Sequence, residues 1–287
     1  MSERVLGIIG GTGLYDLPGL SNVQRKAVDT PFGAPSSELV LGELDGRKLA
    51  FLSRHGPGHR LSPSEINYRA NVWALKAVGV EQILAVSAVG SMKEQIAPGD
   101  FVLVDQTIDL TRRRTSTFFE GGAVAHVAFA DPICDRMRGL LAPLARENGG
   151  TTHERGTYVC IEGPQFSTRA ESRLYRSWGV DVIGMTAMPE AKLAREAQLC
   201  YGLIALATDY DCWHDAHADV TVAAVIATLA ANAARARSLV ALAAQRLPDA
   251  GDCKCRSALA GAIQTDRAAL SLPSRERLAL LLGDKRS

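Results

Sequence analysis

Seven short apolar runs, separated by longer amphipathic stretches, limit what this chain of 287 residues can become. The runs are Val5–Ile9, Leu49–Ser53, Gln82–Ala88, Phe101–Asp105, Gly156–Ile161, Val182–Met185 and Leu203–Ala207. Each is too short for a buried helix and too uniformly apolar for a strand with one wet face. Strands covered on both faces belong to an α/β domain. Helix signals fill the intervals. Ser62-Pro63-Ser64-Glu65 predicts a capped start for a helix whose apolar face is Ile66, Ala70, Trp73, Ala74 and Ala77, and Gly79 ends it. Thr168 with Glu171 predicts a capping box. Pro189-Glu190-Ala191 opens a helix to about Ala197, and Thr221 to about Leu247 is the longest, read as a buried helix and not a membrane span. Residues 1–248 read as one domain. Residues 249–287, weak in pattern until Arg275–Leu282, read as a helical extension docked on it.

Acids and bases nearly cancel, leaving a net charge of +1, and Arg112-Arg113-Arg114 is the one basic block. Neither a nucleic-acid footprint nor a membrane segment is expected. The start, Met1-Ser2-Glu3-Arg4 before Val5, is too short for a signal sequence, so a cytoplasmic location is expected. The six cysteines do not read as a secreted disulfide framework. Cys253-Lys254-Cys255 either closes a small strained disulfide or sits as idle thiols in a mobile tail, the latter preferred in a reducing compartment. Zinc is not expected there without a second pair, nor at His214 and His217 without a third ligand.

Chemistry collects where the runs end, which is where ligands bind in α/β sheets. The first run enters Gly10-Gly11-Thr12-Gly13, an anion nest that lacks the spacing of a dinucleotide fingerprint and the Gly-Lys-Ser/Thr of a P-loop. The second ends in Ser53-Arg54-His55-Gly56, where Arg54 is either a phosphate fork or a surface ion-pair partner and His55 adds a second donor. Val86-Ser87-Ala88 could complete the nest. Thr186 can bond phosphate or ribose, Met185 lines a sugar or simply packs, and Phe166 stacks on a base or sits in the core. Asp209 and Asp211, beside Thr208, Tyr210 and Trp213, either serve a nitrogen-rich planar ligand between aromatic walls or cap the next turn.

Together these segments resemble the methylthioadenosine phosphorylase branch of the trimeric purine nucleoside phosphorylase family. The markers run in family order from Ile8 to about Ile226: Gly10-Gly11-Thr12-Gly13-Leu14, Thr30-Pro31-Phe32-Gly33, Ser53-Arg54-His55-Gly56, Asn67-Tyr68-Arg69-Ala70-Asn71, Glu162-Gly163-Pro164, Met185-Thr186 and Ala207-Thr208-Asp209-Tyr210-Asp211-Cys212-Trp213. The resemblance implies a single-domain, three-layer phosphorylase/hydrolase-like fold, a twisted mixed sheet flanked by helices. It implies cleavage of a 5′-modified purine nucleoside by inorganic phosphate, with no metal or organic cofactor, in a homotrimer or hexamer. Thr12, Arg54, His55, Ser87, Ala88 and Thr186 would hold phosphate, and Met185 would touch ribose. Phe166 and Ser167 would border the base, with Asp209 as proton donor to N7 and Asp211 as reader of the exocyclic amine. Val222, Val225 and Ile226 would wall the methylthio group, and His126 would reach a neighbouring subunit's site. Two carboxylates, where 6-oxopurine branches usually carry an asparagine, favour adenine. Ser87 replaces a common threonine, Gln165 a common arginine and Gly184 a frequent asparagine. The Cys253/Cys255 pair is similar to one that oxidation tightens in some archaeal members. The alternatives are a broader phosphorylase acting on adenosine, inosine or guanosine, a nucleoside-binding module without catalysis, and, weakest, a nicotinamide dehydrogenase.

Overall fold

The computed structural model describes residues 5–11, 17–214 and 222–283, without the side chains of Val222, Ala224, Val225 and Leu229. Among the described residues, eleven strands form one sheet. They are β1 (Val5–Gly10), β2 (Ser21–Lys26), β3 (Leu39–Leu44), β4 (Arg47–Ser53), β5 (Val80–Ser91), β6 (Phe101–Leu103), β7 (Gln106–Asp109), β8 (Thr152–His153), β9 (Thr157–Cys160), β10 (Val182–Gly184) and β11 (Cys200–Asp209). Six α-helices accompany them among the described residues: α1 (Tyr68–Ala77), α2 (Asp135–Glu147), α3 (Arg169–Ser177), α4 (Ala187–Glu196), α5 (Val222–Arg246) and α6 (Leu272–Leu282). All seven apolar runs form strands.

Two cores lie on opposite faces of the sheet, giving three layers. One packs Val72, Trp73 and Leu75 of α1 and Leu193 of α4 against Ile9, Ile83 and Leu203. The other packs Met137 and Leu141 of α2 and Leu239 and Val240 of α5 against Leu6, Ile8, Leu84 and Ile204. Alternate residues of β1 thus enter opposite cores, the burial expected of a central strand. Full burial of each such leucine or isoleucine stabilises the fold by about 1.5–3 kcal/mol.

The strand that organises the site is β5. Along one edge it pairs parallel with β1 as far as Ala85, then antiparallel with β10 at Gly90 and Ser91. Along the other edge it pairs parallel with β11 from Gln82 to Gly90. Residues 86–89 therefore lie between the departure of β1 and the arrival of β10, an opening at which the sheet switches direction.

Several boundaries differ from expectation. Ser62–Glu65 closes an isolated turn, with Glu65 N–H donating to the Ser62 carbonyl at 3.0 Å and Ser62 N–H to Glu65 Oε2 at 2.9 Å. The helix begins at Tyr68, where the Asn67 side chain accepts the Ala70 N–H at 3.1 Å. The capping box of Thr168 and Glu171 forms as expected. Helix α2 has no counterpart in the sequence reading: its cap is a cysteine, Cys134, and Pro143 lies inside it. Nor does β2, whose six residues are all exposed. The β3–β4 hairpin turns at Asp45-Gly46, both at positive φ, the conformation a two-residue hairpin needs.

The described side chains in the first half of α5 are not buried. Ile226 is 59% exposed, and the first buried one among them is Ala236, where the helix comes against α2 and the sheet. Nor is Cys253-Lys254-Cys255 a loose tail. Both thiols are buried, held by Ala250 and Leu247 against the same core. Farther on, Leu259, Leu270, Leu278 and Leu281 join the opposite core. Among the described residues no helix is long and apolar enough to cross a membrane.

Candidate active site

Arg54 follows the last residue of β4, and its backbone N–H donates to the Gly10 carbonyl at 3.0 Å, joining the first two strand ends. Its guanidinium is buried, not a surface partner. Nε and Nη2 each donate to Glu190 at 2.8 Å, and Nη1 donates to the Val86 carbonyl at 3.0 Å. Tyr201 Oη donates to the same carboxylate at 2.8 Å. Burial alone would lower the arginine pKa, but the fully buried Glu190 outweighs it and holds the guanidinium protonated. Three of five N–H donors are thereby committed.

His55 is neutral. Burial pulls its pKa down to about 4, against the pull of the Leu61 carbonyl, 2.9 Å from Nδ1. A ring nitrogen facing a carbonyl must carry the proton, so Nδ1 is the donor and Nε2 is left as an acceptor. The second donor expected at this position is therefore an acceptor towards a ligand. The ring stacks on His59 with centroids 4.1 Å apart.

Opposite these groups, β10 enters the opening in β5 from the other direction. Its register, Val182 to Ser91 and Ile183 to Gly90, extrapolates to Thr186 opposite Ser87, and their hydroxyl oxygens lie 3.3 Å apart. Thr186 is the N-cap of α4 but makes no cap bond with its side chain. Its N–H donates to Tyr158 Oη at 3.3 Å. Tyr158 also accounts for Gly184: a β-carbon there would overlap its hydroxyl, so no asparagine fits. Arg114 holds the Met185 loop from below, donating to the Met185 and Met188 carbonyls at 2.6 Å and to the Glu162 carbonyl at 2.7 Å. Its side chain is buried, while Arg112 and Arg113 stay exposed, so the basic block is split between the core and the surface. Met185 packs over Gly163, where any β-carbon would collide with its sulfur.

At the end of β11 a register shift between Ala207 and Asp209 places Asp209 over Gly90 of β5. A β-carbon on Gly90 would come within 2.9 Å of Asp209 Oδ1, so that strand must be bare there. Asp209 accepts from Thr208 Oγ1 at 2.6 Å and from the Asp211 N–H at 2.8 Å. Asp211 takes a left-handed φ of 50° that turns the chain back. Burial raises the pKa of both carboxyls against hydrogen bonds that lower it, and for Asp209 the nearby Asp211 adds to the rise. The cause is not an aromatic wall. Trp213 turns inward, donating to the Ser91 carbonyl at 2.7 Å with Arg176 3.5 Å over its ring, and Tyr210 packs on it edge-on.

The remaining positions are less enclosed. Phe166 is 45% exposed, so it is no core residue, and the Ser167 carbonyl accepts from Cys212 Sγ at 3.3 Å, tying that loop to the aspartates. Gln165 is exposed. His126 is exposed, with its backbone N–H on the Ala262 carbonyl. Thr12 and His217 lie outside the described residues, as do the side chains of Val222 and Val225. His214 faces Glu94 at 3.4 Å. Glu190, Tyr201, Tyr158 and Arg114 are support that the sequence reading missed. Glu190 and Arg114 left a signal, each a charge inside a segment that must pack.

Paired hydroxyls and a locked arginine beside two raised carboxyls, at the switch point of a mixed sheet, define an enzyme that brings an anion to a basic, planar leaving group. The chain belongs to the phosphorylase superfamily, whose profile matches residues 5–244. It is similar to the S-methyl-5′-thioadenosine phosphorylase of Geobacter sulfurreducens, 56% identical over 98% of this chain and 99% of that one. That of Thermofilum pendens is 50% identical over 90% and 98%. Among solved structures, a methylthioadenosine phosphorylase from an antarctic soil metagenomic library superposes with a TM-score of 0.91 at 48% identity, covering 96% of this chain and 98% of the other. The methylthioadenosine phosphorylase of Schistosoma mansoni in complex with adenine gives 0.87 at 37% identity, covering 91% and 99%.

Proposed function

We propose that this enzyme cleaves 5′-methylthioadenosine with inorganic phosphate, giving adenine and 5-methylthioribose 1-phosphate. The observation that carries the reading is the placement of both ends of the chemistry on β5. Ser87 faces Thr186 at one point, and Gly90 lies under Asp209 three residues on, a rise of about 10 Å. That spacing suits a pentose between a phosphate and a purine.

In the reaction the glycosidic C–N bond breaks with its electron pair passing to the purine. Protonated Asp209 gives its proton to N7, and a phosphate oxygen bonds to the anomeric carbon. The Asp209 carboxylate then regains a proton from solvent. Ser87, Thr186, the Ala88 backbone, Thr12 and the remaining donors of Arg54 hold phosphate. His55 accepts a hydrogen bond at Nε2 from the P–OH of hydrogenphosphate, with no proton transferred. Because Glu190 neutralises Arg54, the anion is held by directed hydrogen bonds more than by net charge. Met185 touches ribose, Phe166 and Ser167 border the base, and Asp211 accepts from the exocyclic amine. Val222, Val225 and Ile226 face the methylthio group.

Phosphate is then a co-substrate, and neither a metal nor an organic cofactor takes part in the step. Residues 1–248 carry the site and 249–287 extend it. We also infer a cytoplasmic salvage enzyme assembled as a homotrimer or a pair of trimers, with exposed His126 reaching the neighbour's site. A phosphate-dependent panel of methylthioadenosine, adenosine and inosine, with products identified, tests the reading. Methylthioadenosine should react fastest and inosine least. Equal rates on inosine would favour the broader phosphorylase, and no phosphate-dependent release of base from any of the three would leave only a binding module.

A further inference from the structure

Four of the six cysteines converge far from the reaction. Cys134 caps the start of α2, Cys200 opens β11, and Cys253 and Cys255 flank Lys254 in the turn after α5. Their sulfurs all lie within 4.8 Å of one another, and all four residues are buried. Cys134 and Cys253 are 3.6 Å apart at sulfur. A tetrahedral zinc ion with Zn–S bonds of about 2.3 Å sets its sulfurs about 3.8 Å apart, whereas a disulfide needs about 2.05 Å. The pair found wanting in the sequence is thus supplied by the fold, since Cys134 and Cys200 stand where a second pair of ligands must be.

We propose that Cys134, Cys200, Cys253 and Cys255 form a tetrathiolate site for a structural zinc ion. Binding forms four Zn–S bonds and releases the four thiol protons to solvent, leaving a net charge of −2 on the centre. The surroundings suit that charge. The Met137 N–H at the start of α2 donates to Cys134 Sγ at 3.4 Å, and helix N-termini favour anions. The site is closed, with four protein ligands and no position for substrate, so its role is to fasten the turn after α5 to α2 and β11. It stands at the opposite end of β11 from Asp209, about 30 Å along the strand.

The test is metal analysis of the full chain, made in zinc-supplemented medium and purified under reducing conditions without chelator. We expect about one zinc per chain, falling below about a tenth of that in Cys253→Ser and Cys255→Ser and unchanged in Cys212→Ser at the other end of the sheet. Cobalt(II) added to metal-stripped protein should give the strong sulfur-to-metal absorption of a tetrahedral thiolate centre. Should the serine variants fail to fold, the cobalt spectrum of the wild-type chain still decides. Chelation should lower Tm and open residues 249–257 to protease. Metal-free protein with a mass lower by four hydrogens, meaning two disulfides, would overturn the proposal. So would four reactive thiols without metal, or zinc retained by Cys253→Ser.

Discussion

At Arg54 the site is closed: the arginine is 2% exposed, Glu190 is fully buried, and Tyr201, Val86 and Gly10 fix the pair from three strands. At Phe166 and Ile226, proposed to border the nucleoside, it is open, with the two residues 45% and 59% exposed. The proposed phosphate end is thus held by the central sheet, and Arg54 cannot shift without breaking buried hydrogen bonds. The nucleoside end, on the proposed reading, is built from loops and the start of α5. On that reading, chemistry shared by every substrate would rest on the rigid end, and choice among substrates on the adaptable one.

Substitutions should separate the two. The largest effect is expected at Asp209, which bridges them. Asp209→Asn should lower kcat/KM on methylthioadenosine by about 10²–10⁴ and remove the loss of activity at high pH that deprotonation of a general acid produces, with Tm little changed. Steady-state kinetics across pH would show it, and full turnover would end the general-acid role. Next, Glu190→Ala should cost about 3–5 kcal/mol in stability by leaving a buried unpaired guanidinium, read by denaturant unfolding. At the open end, Ile226→Ala should raise KM for methylthioadenosine by about tenfold while sparing adenosine and Tm. Equal losses on both nucleosides would erase the distinction between the ends.

The smallest effect concerns His55. Its folded pKa of about 4 lies below the unfolded value, so the unfolded chain binds a proton first as pH falls from about 6.5. Stability contributed by the neutral ring is complete above that pH and is lost down to about pH 4. Thermal unfolding at several pH values should therefore show a shallower acid slope in His55→Gln than in the wild type.

Much of this was legible beforehand. The apolar runs marked the strands because burial on both faces leaves no room for polar residues, and the strand ends carried the chemistry. Edge strand β2, wholly exposed, had no such signature. Helix α2 hid behind a cysteine cap and an internal proline. Partnerships between distant residues were beyond local pattern: nothing near Arg54 names Glu190, 136 positions away, as its partner. The aromatic side chains after Asp209 misled because sequence gives proximity along the chain and not direction, and Trp213 points into the core.

The fit of Gly184 against Tyr158 has a consequence for how such a site changes over generations. A single replacement at 184 by asparagine strikes the tyrosine ring, while loss of the ring first deprives the Thr186 amide of its partner. Loss of the tyrosine removes the clash at 184 but carries its own penalty, so the cost of either change depends on the other. The two positions are therefore epistatic, and a lineage that has entered this arrangement leaves it by a double change or not at all.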